Sequence, residues 1–170
     1  MRDMTTPLIE LALADAAATE ALGARLAEAL RGVSGWVVFL HGELGAGKTT
    51  LVRAWLRTLG VAGTIRSPTY TLIEPYEIDG RSLLHLDLYR LQDAEELEQL
   101  GLADTPPSAG GWLVEWPQRG AGLLPPPAIE IHLRADGLGR KAASACADLW
   151  RERLAARLTP ESGSSSAYAP

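Results

Sequence analysis

Gly42-Glu43-Leu44-Gly45-Ala46-Gly47-Lys48-Thr49 satisfies G-x-x-x-x-G-K-[ST] at every fixed position, the pattern of a phosphate-binding loop. Its flanks agree. Trp36-Val37-Val38-Phe39-Leu40 before it is a short apolar run, as a strand buried on both faces requires. Thr49 to Leu59 after it places Leu51, Val52, Trp55, Leu56 and Leu59 on one helical face. Strand, loop and helix therefore come in the order that aims backbone N–H groups and a positive helix-dipole end at a polyphosphate. Gly42, Gly45 and Gly47 let the backbone turn inward and approach closely. Lys48 is placed to reach the β- and γ-phosphates, and the Thr49 hydroxyl to ligate Mg²⁺. The chain has 14 Arg but only two Lys, and one of the two is Lys48. A compact ammonium fits a tight loop that a wide guanidinium does not.

The bulk numbers bound the rest. A chain of 170 residues predicts one domain with a substantial core, here over 1–158. Apolar residues at 46% and charged residues at 22% are ordinary for a soluble globular protein. No apolar run approaches a membrane span, and Asp3 and Glu10 flank too short an apolar stretch for a secretory leader. A single cysteine, Cys146, cannot form an internal disulfide and suits a reducing cytoplasm. Its alanine-rich setting reads as a packing position rather than a nucleophile. His41, His85 and His132 stand far apart in sequence, so no metal-ligand cluster is expected among them. A net charge of −5 argues against direct tight binding of nucleic acid, DNA included, although a role in a nucleic-acid pathway through partners stays open.

Along the chain, Leu8 to Leu13 reads as a first strand, and Asp15 caps a helix with Leu22, Leu26 and Leu30 on its apolar face. Thr69 to Tyr76 alternates as a strand, Asp79-Gly80 signals a hairpin turn, and Arg81 to Tyr89 returns. Asp93 to Gly101 reads as a short capped helix, and 105–111 as a loop. Gly111 to Trp116 is a second buried strand ended by Pro117, and Pro125-Pro126-Pro127 leads into a strand over Ala128 to Arg134. Helical propensity predicts a final helix over Ala142 to Leu158 that packs Leu149, Trp150 and Leu154. Residues 159–170 read as a disordered tail. The pattern is α/β: a P-loop NTPase-like three-layer sandwich around a mixed, mainly parallel central sheet.

A phosphate loop that uses Mg²⁺ needs a carboxylate at the end of a neighbouring strand. Asp87, at the end of Leu83-Leu84-His85-Leu86-Asp87, and Glu115, bracketed by Val114 and Trp116, are the candidates. From the pattern alone, either could instead be a solvated strand-end charge. Ser67-Pro68-Thr69 lies where such proteins keep a loop that senses the γ-phosphate, but it also reads as an ordinary turn. Arg140 is expected in a turn between the last strand and the last helix, where an exposed arginine is the default.

Taken together, GELGAGKTT, SPTYTLIEPY, HLDLYRL with AEELEQLGL, LVEWPQRGAGLLPP, and IEIHL with a later GR resemble the TsaE (YjeE) family. These are small bacterial ATPases required for making threonylcarbamoyladenosine in tRNA. The resemblance covers about residues 8–141, in family order and nearly family spacing. It implies that Gly45, Ala46, Gly47, Lys48, Thr49 and Thr50 hold the phosphates of ATP, and that Thr49 and Glu115 ligate Mg²⁺. It implies a Walker-B-type carboxylate at Asp87, a nucleotide-sensing switch at Ser67 and Thr69, and a state-sensing tryptophan at Trp116. Arg140 is similar to the arginine that touches ATP. The family holds the base near Asp15 and Ala16. Its members act with TsaB and TsaD, so tRNA enters only indirectly. Glu43 departs from the family by standing where Asp is usual.

Other classes are less well supported. A guanine-nucleotide switch needs an N-K-x-D reader, and this chain has no asparagine; Asp136 to Gly139 fits D-x-x-G by chance. A small-molecule kinase is the alternative, but it needs an arginine-bearing lid, and 103–111 has neither Arg nor Lys. A purely binding module would keep Lys48 and Thr49 without needing Glu115.

Overall fold

The computed structural model describes residues 9–148, 150–152 and 154. Seven strands form one sheet in the order β1-β7-β6-β2-β5-β4-β3. They are β1 (Ile9–Leu13), β2 (Trp36–His41), β3 (Ile73–Ile78), β4 (Arg81–Asp87), β5 (Gly110–Glu115), β6 (Ile129–Asp136) and β7 (Gly139–Cys146). The helices are α1 (Ala16–Leu30), α2 (Lys48–Leu59) and the single turn α3 (Glu96–Gln99). The sheet is mixed, as expected. Its parallel part is the central set β6-β2-β5-β4, and antiparallel β3 closes one side while β7 and β1 close the other.

The central strands are apolar on both faces because both are covered. Trp36, Val38 and Leu40 of β2, Leu113 of β5 and Ile129, Ile131 and Leu133 of β6 pack under α1 and α2. Val37, Leu84, Leu86, Trp112 and Val114 point the other way, onto Leu88, Leu91 and Leu97. That second layer is thin, made of α3 and short 3-10 turns at Leu102–Asp104, Pro107–Ala109 and Pro117–Gly120. Among the described residues it covers β4, β5 and β2 and leaves β6 open, where Glu130 is half-buried and His132 and Arg134 are exposed.

Local signals place the ends. Asp15 Oδ1 accepts the Ala18 N–H at 2.8 Å and starts α1. Asp79 and Gly80 both have positive φ, 50° and 72°, which closes the β3–β4 hairpin with the favoured twist. Asp93 N–H donates to Glu96 Oε1 and Asp93 Oδ1 accepts Glu95 N–H, a reciprocal cap, but only Glu96–Gln99 is helical. Leu72 N–H donates to Pro68 O at 2.8 Å, so 69–72 is a turn and β3 starts at Ile73, later than expected.

The C-terminal reading needs correction. Ala142 to Cys146, expected in a helix, belongs to β7. This strand is paired on both sides, with β6 and β1, so ladder hydrogen bonds and the burial of Ala142, Ser144 and Cys146 override alanine's helical propensity. Helical geometry is present at Asp148, Trp150, Arg151, Glu152 and Leu154, and Leu154 is buried in the core with Trp150 against it. Leu149, the rest of the expected helix and the expected tail over 159–170 lie outside the described residues. Arg140 accordingly sits in β7, not in a turn before a helix; the turn is Asp136 to Gly139, joining β6 to β7. Cys146 is 2% exposed and burial pushes its thiol pKa up, which leaves it a packing residue. No helix among the described residues is long and apolar enough to cross a membrane.

Candidate functional site

The phosphate loop runs from the end of β2 into α2, and a cavity of about 390 Å³ opens above it. Gly45, Gly47, Lys48, Thr49, Thr50, Thr69, Asp87, Glu115 and Arg140 all line this cavity, so the structure gathers these predicted residues in one place. Ala46, within the loop, is buried and does not line the cavity. Gly47 has φ 103°, and a Cβ there would sit 3.2 Å from Arg140 Nε and 3.3 Å from Thr19 Cγ2. Only glycine combines that conformation with that closeness. Arg140 reaches the loop because β1 pairs Leu13 with it, which brings β7 beside the start of α1. The first turns of α1 reach the loop through Thr19, while Asp15 and Ala16 do not line the cavity.

Lys48 is buried, and its ammonium donates to Gly42 O at 2.5 Å and Glu43 O at 2.9 Å. It also stands 4.3 Å above the centre of the Trp116 ring. Burial pushes its pKa down, opposed by the carboxylates of Glu115, Asp87 and Glu43. The cation thus waits on carbonyls of its own loop, weaker partners than phosphate oxygens.

Two carboxylates face it. β4 and β5 run parallel with Asp87 opposite Glu115, so both acids come to the same strand end, on the face that α2 covers. Glu115 is 2% exposed and accepts the Thr49 hydroxyl with both oxygens at 3.0 Å. Asp87 accepts the Tyr89 N–H at 3.1 Å and, more weakly, the Thr69 hydroxyl at 3.4 Å. Ser67 Oγ and Thr69 Oγ1 are 2.9 Å apart, so the Ser67–Thr69 turn connects by hydroxyls to Asp87. Burial raises the Asp87 pKa and the neighbouring Glu115 charge raises it further, against the Tyr89, His85 and Thr69 contacts. Two buried acids side by side, each accepting a threonine hydroxyl, fit a divalent cation, which would offset the desolvation of Asp87.

One member of the site was not assigned from the sequence. His85 is fully buried and its Nε2 lies 2.8 Å from Glu115 Oε1. It orients that carboxylate. The available signal was position: His85 and Asp87 share one face of β4. Trp116 lies beside Glu115 in left-handed backbone, φ 57°, which turns its ring over Lys48 and 4.9 Å from the Tyr89 ring. Such backbone is costly for a bulky residue and concentrates at functional sites.

The 103–111 loop, where a kinase would need its lid, lies elsewhere. Ala103, Pro106 and Pro107 line a separate apolar cavity that shares no lining residue with the phosphate-loop cavity.

Comparison with known proteins agrees with this arrangement. Residues 13–142 match the family described as threonylcarbamoyl adenosine biosynthesis protein TsaE. A tRNA threonylcarbamoyladenosine biosynthesis protein TsaE from Haemophilus influenzae is 47% identical over 97 residues, 57% of this chain and 61% of that protein. The namesake from Bacillus subtilis is 38% identical over 103 residues, 61% of this chain and 64% of its own length. The matched region thus spans somewhat under two thirds of these two relatives. In three dimensions the chain is similar to the crystal structure of Bacillus subtilis YdiB, with TM-score 0.69, 27% identity, and coverage of 87% and 94% of the two chains. With its phosphate loop, paired strand-end acids and 13–142 match, the chain belongs to the TsaE family.

Proposed function

We propose that this chain binds ATP with Mg²⁺ above the phosphate loop and hydrolyses it, slowly alone, within a TsaB–TsaD assembly that threonylcarbamoylates adenosine in tRNA. The observation that carries the reading is the convergence of Lys48, Thr49, Asp87, Glu115 and Arg140 on one cavity, in a chain of this family. Lys48 and the N–H groups of residues 45–50 would hold the phosphates, and Arg140 would meet them from β7. Thr49 and Glu115 would hold Mg²⁺, which supplies charge neutralisation between phosphate oxygens. His85 keeps Glu115 aimed. Asp87, with Thr69, stands where a water could be oriented or a proton accepted. The tRNA role rests on the relatives' names and on the family; the acidic balance of the chain fits a protein that reaches tRNA only through partners. The reaction would reset the complex rather than take part in the transfer itself.

Lys48→Ala tests the nucleotide site. It removes the cation at the base of the cavity, and affinity for a fluorescent ATP analogue should fall by on the order of a hundredfold, about the value of one charge-assisted contact. Unchanged affinity rejects the site. Turnover measured with and without the TsaB–TsaD pair tests the assembly, and a rate indifferent to the pair rejects it.

A further inference from the structure

The open face of the sheet, opposite α1 and α2, carries a second cluster. β2 and β6 run parallel with His41 opposite His132, and Glu130 stands two residues before His132 on the same face. These histidines were expected to stay apart; the strand register brings them together. The imidazoles stack with centroids 4.3 Å apart and planes within 4°. One ligand atom from each of His41, Glu130 and His132 lies within 4.8 Å of the others. Glu130 Oε2 is 3.2 Å from His41 Nε2 and 3.6 Å from His132 Nε2. Among the described residues, buried His41 Nε2 makes no well-aligned hydrogen bond; its close polar neighbour is Glu130, whose carboxyl it holds below the usual range.

We propose that His41, Glu130 and His132 form a binding site for a borderline divalent transition metal, of the class of Zn²⁺ and Co²⁺. Two imidazoles and one carboxylate match that class, whereas Mg²⁺ takes oxygen ligands. Ligands about 2.1 Å from a tetrahedral ion stand roughly 3.4 Å from one another, close to the two separations seen here. The stacked rings must splay to bring the ion into both planes. The terminal torsion of histidine is broad, and the His132 side chain is half-exposed, so its ring can turn to make this movement. Space exists for it. A cavity of about 310 Å³ is lined by His41, Gly42, His132, Leu133, Arg134 and Ala143. Three protein ligands and a half-exposed rim leave a fourth position for water. Arg134 opposes a cation, and the Glu130 carboxylate offsets it. His41 directly precedes Gly42, the residue whose carbonyl holds Lys48, so an ion here would brace the end of β2 under the phosphate loop.

The test is a Co²⁺ titration of the full, chelator-stripped chain without nucleotide, followed by visible absorption, then Zn²⁺ competition. The wild type should bind a single equivalent with the intense bands of a low-coordinate site, and Zn²⁺ should abolish them. His132→Ala and Glu130→Gln should each weaken binding at least tenfold, with unchanged circular dichroism. Glu115→Gln should leave it unchanged. Absence of the bands in the wild type, or their survival in both His132→Ala and Glu130→Gln, overturns the proposal. So does loss in Glu115→Gln alone, which would place the ion at the phosphate loop.

Discussion

Glu115 is tied at both oxygens, to Thr49 and to His85, before any ligand arrives. Its orientation is therefore preorganised, and its charge is the property a substitution can remove separately. Glu115→Gln keeps the shape and retains one acceptor oxygen, so the fold and most ATP affinity should persist. A carboxylate that acts in the transition state should lower kcat more than it raises KM. The expected loss in turnover, with TsaB and TsaD present, is on the order of tenfold to a thousandfold, about 1.4–4 kcal/mol. Wild-type turnover would move the catalytic role to Asp87. Trp116 offers a second readout. The Lys48 ammonium sits on its ring face, so drawing that ammonium toward phosphate changes the indole's surroundings. Adding ATP·Mg²⁺ should shift the fluorescence of the wild type but not of Trp116→Phe, in which the four other tryptophans remain. A signal that survives in Trp116→Phe would reduce Trp116 to packing.

At the scale of elements, the site depends on how α1 meets α2. Gly23 is the contact point: a Cβ there would stand 2.4 Å from the Leu51 carbonyl oxygen. That atom is backbone and cannot swing aside. On an exposed helix, Gly→Ala would stabilise by about 1 kcal/mol through propensity. Here the helices must part, at a cost of about 1–3 kcal/mol or more, and overpacking should prevail. Gly23→Ala should therefore lower stability in urea unfolding and, because α2 begins with Lys48 and Thr49, weaken ATP binding too. A more stable variant would show that the crossing has slack. The loop itself was legible because its residues are contiguous and its geometry is local. The β7 strand was not: Lys141-Ala-Ala-Ser-Ala-Cys-Ala has too little contrast between alternate residues for a period of two to show. What makes it a strand is pairing with β6 and β1.

The whole molecule bears a stability cost at its site. Asp87 is buried beside Glu115, and its pKa stands above the ordinary 3.8. The native state then holds this proton more tightly than the unfolded chain. Stability tied to the group is full below the unfolded value and is lost as pH rises through the folded one. The penalty in the ligand-free protein therefore grows as pH rises above the unfolded value. Asp87→Asn imitates the protonated form, so its ligand-free melting temperature should exceed that of the wild type at about pH 7, and the gap should close as pH falls toward about 4. A variant less stable at every pH would mean that the Asp87 contacts to Tyr89 and Thr69 outweigh desolvation.

By itself the sequence determined the strand–loop–helix of the phosphate-loop motif, the cap at Asp15, the hairpin at Asp79-Gly80 and the candidacy of Asp87 and Glu115, since each depends on neighbours within a few residues. Family resemblance joined those segments into one expected site. Only the tertiary structure decided which groups meet across the sheet. Parallel register put Asp87 beside Glu115 and His41 beside His132. Antiparallel pairing with β1 carried Arg140 to Gly47. The same β4–β5 register set His85 against Glu115. Strand register is settled by which faces are covered and by long-range pairing, and no local stretch of chain encodes that.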